Sequence, residues 1–443
     1  MTHHSPSPAH IRSFLAVLAA IVGALENIDD VESEDGGERF PRSMKRNLIL
    51  AVVIMLGSLL ATSATTGLRK EVLQRVQAAF KAGLYADSLA LGGHYEYDAR
   101  KIKATGGFAD YSPPGEANNG IGWGTANYHP GKKAGDLTDS GEVAIMLLEN
   151  LAEDKGAYTF DIYAQYWKRQ IDEGYGSCNF QTVGRDAKGC PPGLKPGYIN
   201  GGSRRTLQAL AANPSARGER RMALAADVNC LIAATHFLPL FLVESDEEKL
   251  VSDAVSTVYI SHKNSDPVAA AEFLCRTLFR IIHLEMSLTE ALQSAAARQG
   301  HPLISKWLQD AQAKVAEAQD PSSSLSKEEL VDDIAITTMS RLWDIGKTEP
   351  IKIGKASPTE GALPSALYFS IKYHNNIEAA LIANANCGGD SAARGIVIGM
   401  LLGALPGNAI APTHRWARGL NAMAHVQGLM DTVGGKAEVD AEL

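Results

Sequence analysis

Cysteine is scarce in this chain of 443 residues. There are 5, an odd number, and no CxxC spacing or Cys/His cluster occurs among them. That argues against a zinc finger or ribbon, whose ligands come at short fixed spacings. Basic residues also fall short, with 42 Lys and Arg against 50 Asp and Glu, a formal net charge of -8 and a pI near 5.9. No nucleic-acid partner is expected, because a phosphate backbone is bound by a basic face. Period-two alternation is nearly missing, which points away from sheet architectures. No internal repeat, block of like charge or low-complexity array is present. What the chain does have suffices for a core: 45% of residues are hydrophobic, while 41 Gly and 19 Pro imply several irregular loops. Its length accommodates one large domain or two.

The first 67 residues differ from the rest and are expected to target or anchor the protein. Phe14 to Leu25 is apolar but short, closer to the hydrophobic part of a signal peptide than to a membrane span. An acidic, Gly-containing linker follows from Glu26 to Glu38. Lys45 and Arg46 then precede Asn47 to Leu68, which carries no charge at all. A cleaved signal peptide beginning at Met44, a single membrane anchor, a bipartite organelle-targeting sequence and untranslated upstream sequence all remain open. Export, an organelle or anchoring through residues 44–68 is the localisation expected. If the domain is exported, Cys178 and Cys190 can close a disulfide within their shared loop.

The rest of the chain is organised around Asn384 to Pro406, a polar turn followed by a buried helix. Gly388 and Gly389 permit backbone angles other residues resist. Asp390 and Ser391 are good helix N-caps. Gly395, Gly399 and Gly403 recur every four residues, which predicts a smooth stripe where a second helix approaches closely. Cys387 is the cysteine beside this turn.

From Leu68 the chain reads as helix after helix, an all-α domain to about residue 430 with residues 431–443 as a flexible tail. Val72, Val76, Ala79, Phe80, Gly83 and Leu84 share one face of the first helix, which leads to Asp87 and then to His94-Tyr95-Glu96-Tyr97-Asp98. The Gly/Pro/Asn-rich stretch 105–135 contains Trp123, Tyr128 and His129; loops this long are commonly lids, and the two aromatics suit a flat ligand ring. At Thr138-Asp139-Ser140-Gly141-Glu142, Asp139 with Glu142 resembles a capping box, and Val143, Met146, Leu147 and Leu151 supply a buried stripe. His236 and His262 lie at helix junctions, where such residues brace more often than they catalyse. Ala271 to Ala297 reads as a strongly helical, core-facing run.

The Gly388-Gly389-Asp390-Ser391-Ala392-Ala393 turn and its Gly-spaced helix resemble the C-terminal signature of the ADP-ribosylglycohydrolase family, GGDTDT. The match continues in order over roughly residues 68 to 425: Ala86-Asp87-Ser88-Leu89 in the first helix, Thr138-Asp139 at the start of another, the Ser261-His262…Asp266-Pro267 junction, Leu363 to Ala380 before the turn, and Ala411-Pro412 with Trp416 after it. The resemblance implies a compact orthogonal helical bundle with a cleft formed by helix N-termini. It implies hydrolysis of the bond between ADP-ribose, or a related ribosyl group, and its target. It also implies Mg²⁺ held by Thr138, Asp139, Asp390 and Ser391, with Asp139 and Asp390 catalytic and Asp87, His94, Glu96, Trp123 and Tyr128 on the substrate side.

The departures from the pattern matter. Ser140 and Ala392 stand where the family has carboxylates, and His94 stands where it has a metal-binding Glu. The HYEYD and GGDSAAR segments resemble a divergent branch that includes the J-type crystallins of jellyfish and selenoprotein J. Weak Mg²⁺ binding, or none, is therefore expected, with little release of ADP-ribose. The alternative to a hydrolase is an inactive ligand-binding or crystallin-like structural protein. Asp87, Asp139 and Asp390 are predicted to converge in one cleft.

Overall fold

The computed structural model describes residues 70–114, 129, 131–174, 198–339, 342–343 and 351–442, the side chains of residues 173–174, 342–343, 351–353 and 435–442 excepted. The targeting region 1–67, Trp123, Tyr128, Cys178 and Cys190 lie outside these residues. Among the described residues no helix is long and apolar enough to cross a membrane.

Helices make up the unit that begins at Val72. In chain order they are α1 over 70–90, α2 Ala99–Ala104, α3 Asp139–Glu153, α4 Phe160–Gly174, α5 Gly201–Ala211 and α6 Gly218–Ala223. Then come α7 Glu247–Val258, α8 Ser265–Ile282, α9 Leu288–Arg298, α10 Pro302–Gln319, α11 Val331–Met339 and α12 Thr359–Lys372. The last are α13 Ile377–Cys387, α14 Ser391–Gly403, α15 Arg415–Gly419 and α16 Met423–Glu442. The only strands among the described residues are the two-residue β1 and β2, antiparallel, with Leu342 opposite Lys352. The all-α expectation is met.

The buried stripes follow the sequence pattern. Val76, Ala79, Phe80 and Leu84 on α1 are buried, as are Val143, Met146, Leu147 and Leu151 on α3. Ala144, Ile145 and Leu148 are buried as well, so α3 is enclosed on more than one face. α14 is buried along its whole length and packs against α12, α13 and α3. Its glycines meet α1: a Cβ at Gly399 would lie 2.5 Å from the carbonyl of Ala82, and one at Gly403 would lie 2.9 Å from the oxygen of Ala78. The two backbones touch there, as the four-residue spacing predicts.

The run Ala271 to Ala297 is two helices, because Glu285 turns left-handed at φ 54 and Ser287 with Glu290 forms a capping box that restarts the chain as α9. α16 runs on through residues 431–442, and Val433, 1% exposed, belongs to the core.

Candidate functional site

The site begins where α1 ends. Asp87, wholly buried, accepts hydrogen bonds from the Thr138 amide at 2.7 Å, the Thr138 hydroxyl at 2.6 Å and the Gly141 amide at 3.1 Å. One carboxylate thus satisfies amides of the first turn of α3 that have no partner within the helix. Gly141 is required there, since a Cβ would fall 2.5 Å from Asp87 Oδ2. Burial pushes the Asp87 carboxyl up, against the hydrogen bonds from Thr138 that pull it down.

This arrangement moves the helix cap. Thr138, held extended at φ -74 and ψ 178, is the N-cap, and its hydroxyl oxygen accepts from the Ser140 amide at 3.1 Å. The box expected between Asp139 and Glu142 does not form: Asp139 is the first helical residue, and Glu142 pairs with Lys132. Asp139 is therefore released from capping. It is 6% exposed, its Oδ2 has no hydrogen-bond partner, and the Asn200 side chain at the start of α5 exerts a small opposing pull on its carboxyl. Burial, then the nearby charges of Asp390, Asp87 and Glu142, hold its carboxyl well above the usual carboxylate range. The charges of Asp390 and Asp87 both act on the Asp139 carboxyl.

Asp390 arrives on the glycine turn. Gly388 and Gly389 have φ of 67 and 73; a Cβ on either would meet a backbone oxygen, that of Glu96 at 2.2 Å or of Lys355 at 2.1 Å. The close approach serves pairing: the Gly389 amide donates to Glu96 O at 2.5 Å, the Tyr95 amide to Gly389 O at 2.7 Å, and the Asp390 amide to Lys355 O at 2.7 Å. Arg394, fully buried, clamps the turn from beneath through Asn384 Oδ1 at 2.6 Å and Gly388 O at 2.8 Å. Asp390 holds the N-cap position of α14 but its side chain makes no capping bond. It turns instead to His94 Nε2, 3.1 Å from Oδ1. Ser391 Oγ is buried without a partner.

His94 belongs to a ring cluster that the sequence did not announce. Its Nδ1 lies 2.8 Å from His129 Nε2, and it stacks on Tyr95 with centroids 3.9 Å apart. Tyr198 meets both Tyr95 and His129 edge-on at 6.0 and 6.2 Å. Tyr95 is held left-handed at φ 69, an unusual state for a bulky residue. Burial, His94 and Lys132 keep the His129 imidazole well below its ordinary value. The only available signal for His129 was its place in a long loop, and Tyr198 gave none.

The side chains of the other candidates make their bonds elsewhere, although the Glu96 backbone pairs with the glycine turn. Glu96 is buried, with Oε1 accepting from the Asp98 amide at 2.6 Å and Oε2 unpartnered. His262 packs on Gly202, where a Cβ would fall 2.0 Å from its Nε2, and accepts or donates at Ser261 Oγ. Burial lowers His236 to about 3 and His262 to about 4, so both are neutral braces near neutral pH. Burial raises the thiols of both Cys387 and Cys230; the charges acting on Cys387 are chiefly Asp332 and Asp333, while Asp390 and Asp139 act on Cys230. Folding of the Asn229–Ala234 segment against Ala393 brings Cys230 within their reach, and nothing local in the sequence marks it.

The residues present do not fit a pair of magnesium ions, which want clustered oxygen ligands in near-octahedral geometry. Both Asp87 oxygens serve α3, the Thr138 hydroxyl is engaged by Asp87 and Ser140, and one Asp390 oxygen faces an imidazole. Asp139 Oδ2 and Ser391 Oγ are left as open donors. Among the described residues no three His, Cys, Asp or Glu side chains are grouped to hold a metal.

Comparison with known proteins agrees with this frame. A solved structure described as "ADP-ribosylglycohydrolase-related protein complex" superposes with a TM-score of 0.50 at 18% identity, covering 83% of this chain and 99% of that one. That likeness is one of fold. Among curated proteins no significant match was found. The family model for ADP-ribosylglycohydrolase matches residues 68–441, and the chain therefore belongs to the ADP-ribosylglycohydrolase family.

Proposed function

We propose that the protein binds ADP-ribose or a related nucleotide sugar over Asp139 and Asp390 and hydrolyses its glycosidic bond to a target slowly, without relying on a two-metal centre. The observation that carries this reading is the buried pair itself: Asp139 with an unpartnered oxygen and a carboxyl raised by burial and by Asp390, beside an Asp390 held by His94. Glycoside hydrolysis by a carboxyl pair asks for one acid and one carboxylate on either side of the scissile bond. Asp139, kept protonated by its surroundings, donates its proton to the departing atom of the target as the bond to C1″ breaks. Asp390 faces the positive charge developing on the ribose and takes a proton from the attacking water. Hydroxide adds to C1″ and the target leaves with the proton from Asp139. Tyr95, Tyr198 and His129 supply ring faces beside the pair.

Ser140 and Ala392 favour a second reading, a binding or structural protein of the kind suggested by the J-type crystallins and selenoprotein J. Membrane association or export would then come through residues 44–68 alone. The deciding experiment is calorimetry with ADP-ribose beside a release assay on arginine- and serine-linked ADP-ribosyl peptides. Binding with slow turnover, lost in Asp139→Asn, supports the hydrolase. Binding without turnover supports the second reading, and neither binding nor turnover leaves only a structural role.

A further inference from the structure

We propose that His94, braced by His129, takes the place of a divalent cation in fixing Asp390, an assignment that rests on the carboxyl-pair reading of the cleft. Four observations converge on it. His94 Nε2 lies 3.1 Å from Asp390 Oδ1, within hydrogen-bond reach of an oxygen that a cation would otherwise take as ligand. A magnesium ion would need to approach to about 2.0–2.1 Å of a carboxylate oxygen, and the imidazole already engages this one. Magnesium selects oxygen over imidazole, so His94 does not serve as its ligand. The ring is also held from several directions. Its Nδ1 is 2.8 Å from His129 Nε2, its face lies on Tyr95, and the His94–Glu96 backbone is tied to Gly389 on the same turn that carries Asp390.

The hydrogens follow from the partners. A carboxylate oxygen only accepts, so Nε2 of His94 carries the hydrogen and donates to Asp390. In neutral His94, Nδ1 is then bare and accepts from Nε2–H of His129. His129 thereby fixes the tautomer of His94, in the way an outer partner orients a metal-bound histidine, and is a positioning residue for Asp390. Such a donor aligns a carboxylate without adding the charge of an ion. That suits a cleft in which Ser140 and Ala392 are buried and bring no carboxylate.

The test compares the full-length protein with His94→Glu, His94→Ala, His94→Gln and His129→Ala, using Mg²⁺ alone as the calorimetric probe. Wild type is expected to bind Mg²⁺ weakly. His94→Glu should gain about tenfold or more, the scale on which single groups at a metal site change affinity. His94→Ala should gain less by freeing Asp390, and His94→Gln should stay near wild type because an amide still donates. In wild type, ¹⁵N imidazole spectra should show the hydrogen of His94 on Nε2, and in His129→Ala a mixture of tautomers. Tight Mg²⁺ binding by wild type that moves the His94 resonances would overturn the assignment, and so would equal Mg²⁺ affinity in all variants. If a variant fails to fold, the wild-type titration and spectra decide alone. An ADP-ribose titration separates the two proposals: its failure removes the substrate reading, while the Mg²⁺ comparison still rules on His94.

Discussion

Gly399→Ala and Gly428→Ala are the same substitution in two helices and should act in opposite directions. At Gly399 a methyl would lie 2.5 Å from the backbone carbon and oxygen of Ala82 and the nitrogen of Gly83. Those atoms belong to a helix and have no rotamer through which to give way. Ordinary contact is about 3.5–4.0 Å, so α1 and α14 must separate by roughly an ångström. Overpacking of this kind costs about 1–3 kcal/mol, against a gain of up to about 1 kcal/mol for Ala over Gly inside a helix. At Gly428, on the exposed face of α16, nothing lies within 4 Å, so the propensity gain stands by itself. Urea denaturation followed by circular dichroism should show a lower midpoint for Gly399→Ala, a slightly higher one for Gly428→Ala, and unchanged slopes for both. Because α1 carries Asp87 and α14 follows Asp390, the wedge at Gly399 should also weaken the proposed binding of ADP-ribose. A Gly399→Ala variant as stable as wild type would refute the close contact on which the site geometry depends.

Other perturbations act on the site and its support. Removing Asp87 strips the acceptor from three buried donors, so Asp87→Ala should lose about 3–5 kcal/mol in chemical denaturation, at about 1–3 kcal/mol per orphaned group; a loss under about 1 kcal/mol would contradict that role. Asp139 behaves oppositely. Its folded carboxyl is raised, the folded state keeps a proton that the unfolded chain gives up, and wild-type stability falls as pH climbs from the ordinary carboxylate range, about 4. Asp139→Asn should flatten that fall and be more stable at neutral pH while abolishing turnover, and a less stable variant there would count against the raised carboxyl. For His236 and His262, lowered to about 3 and about 4, the unfolded chain binds the extra protons. Stability is then lost as pH drops from about 6.5 toward 4, and His262→Gln should lose less of it than wild type over that range. Asp332 receives the hydroxyls of Tyr368 and Tyr373, each at 2.7 Å, and the Lys372 ammonium at 2.5 Å; Asp332→Ala should cost about 2–4 kcal/mol, seen as a lower urea midpoint.

Much of the fold was legible because it rests on local rules. Apolar spacing named the buried faces of α1 and α3, and the four-residue glycine stripe named a close helix contact before its partner was known. The turn at Gly388-Gly389 was likewise readable, since only glycine takes those angles without strain. Capping was read less well. Thr138, Asp139, Asp390 and Ser391 all have the side chains of N-caps, and their choice among capping, pairing and exposure depends on distant neighbours. Thr138 caps because Asp87 orients it, while Asp390 does not because His94 reaches it first.

The sequence by itself determined an all-helical domain and its buried faces, because these follow from periodicity and backbone freedom, and the order of motifs along the chain singled out three acidic positions. Only the tertiary structure decided what each acid does. Asp87 became a strut under α3, Asp139 a buried carboxyl with an open oxygen, and Asp390 the partner of an imidazole. The physical reason is that a carboxylate's role is set by which donors and charges surround it once it leaves water. Those neighbours, His94, His129, Asn200 and Cys230, reach the pair through the packing of separate helices and loops, at separations along the chain that no local pattern records.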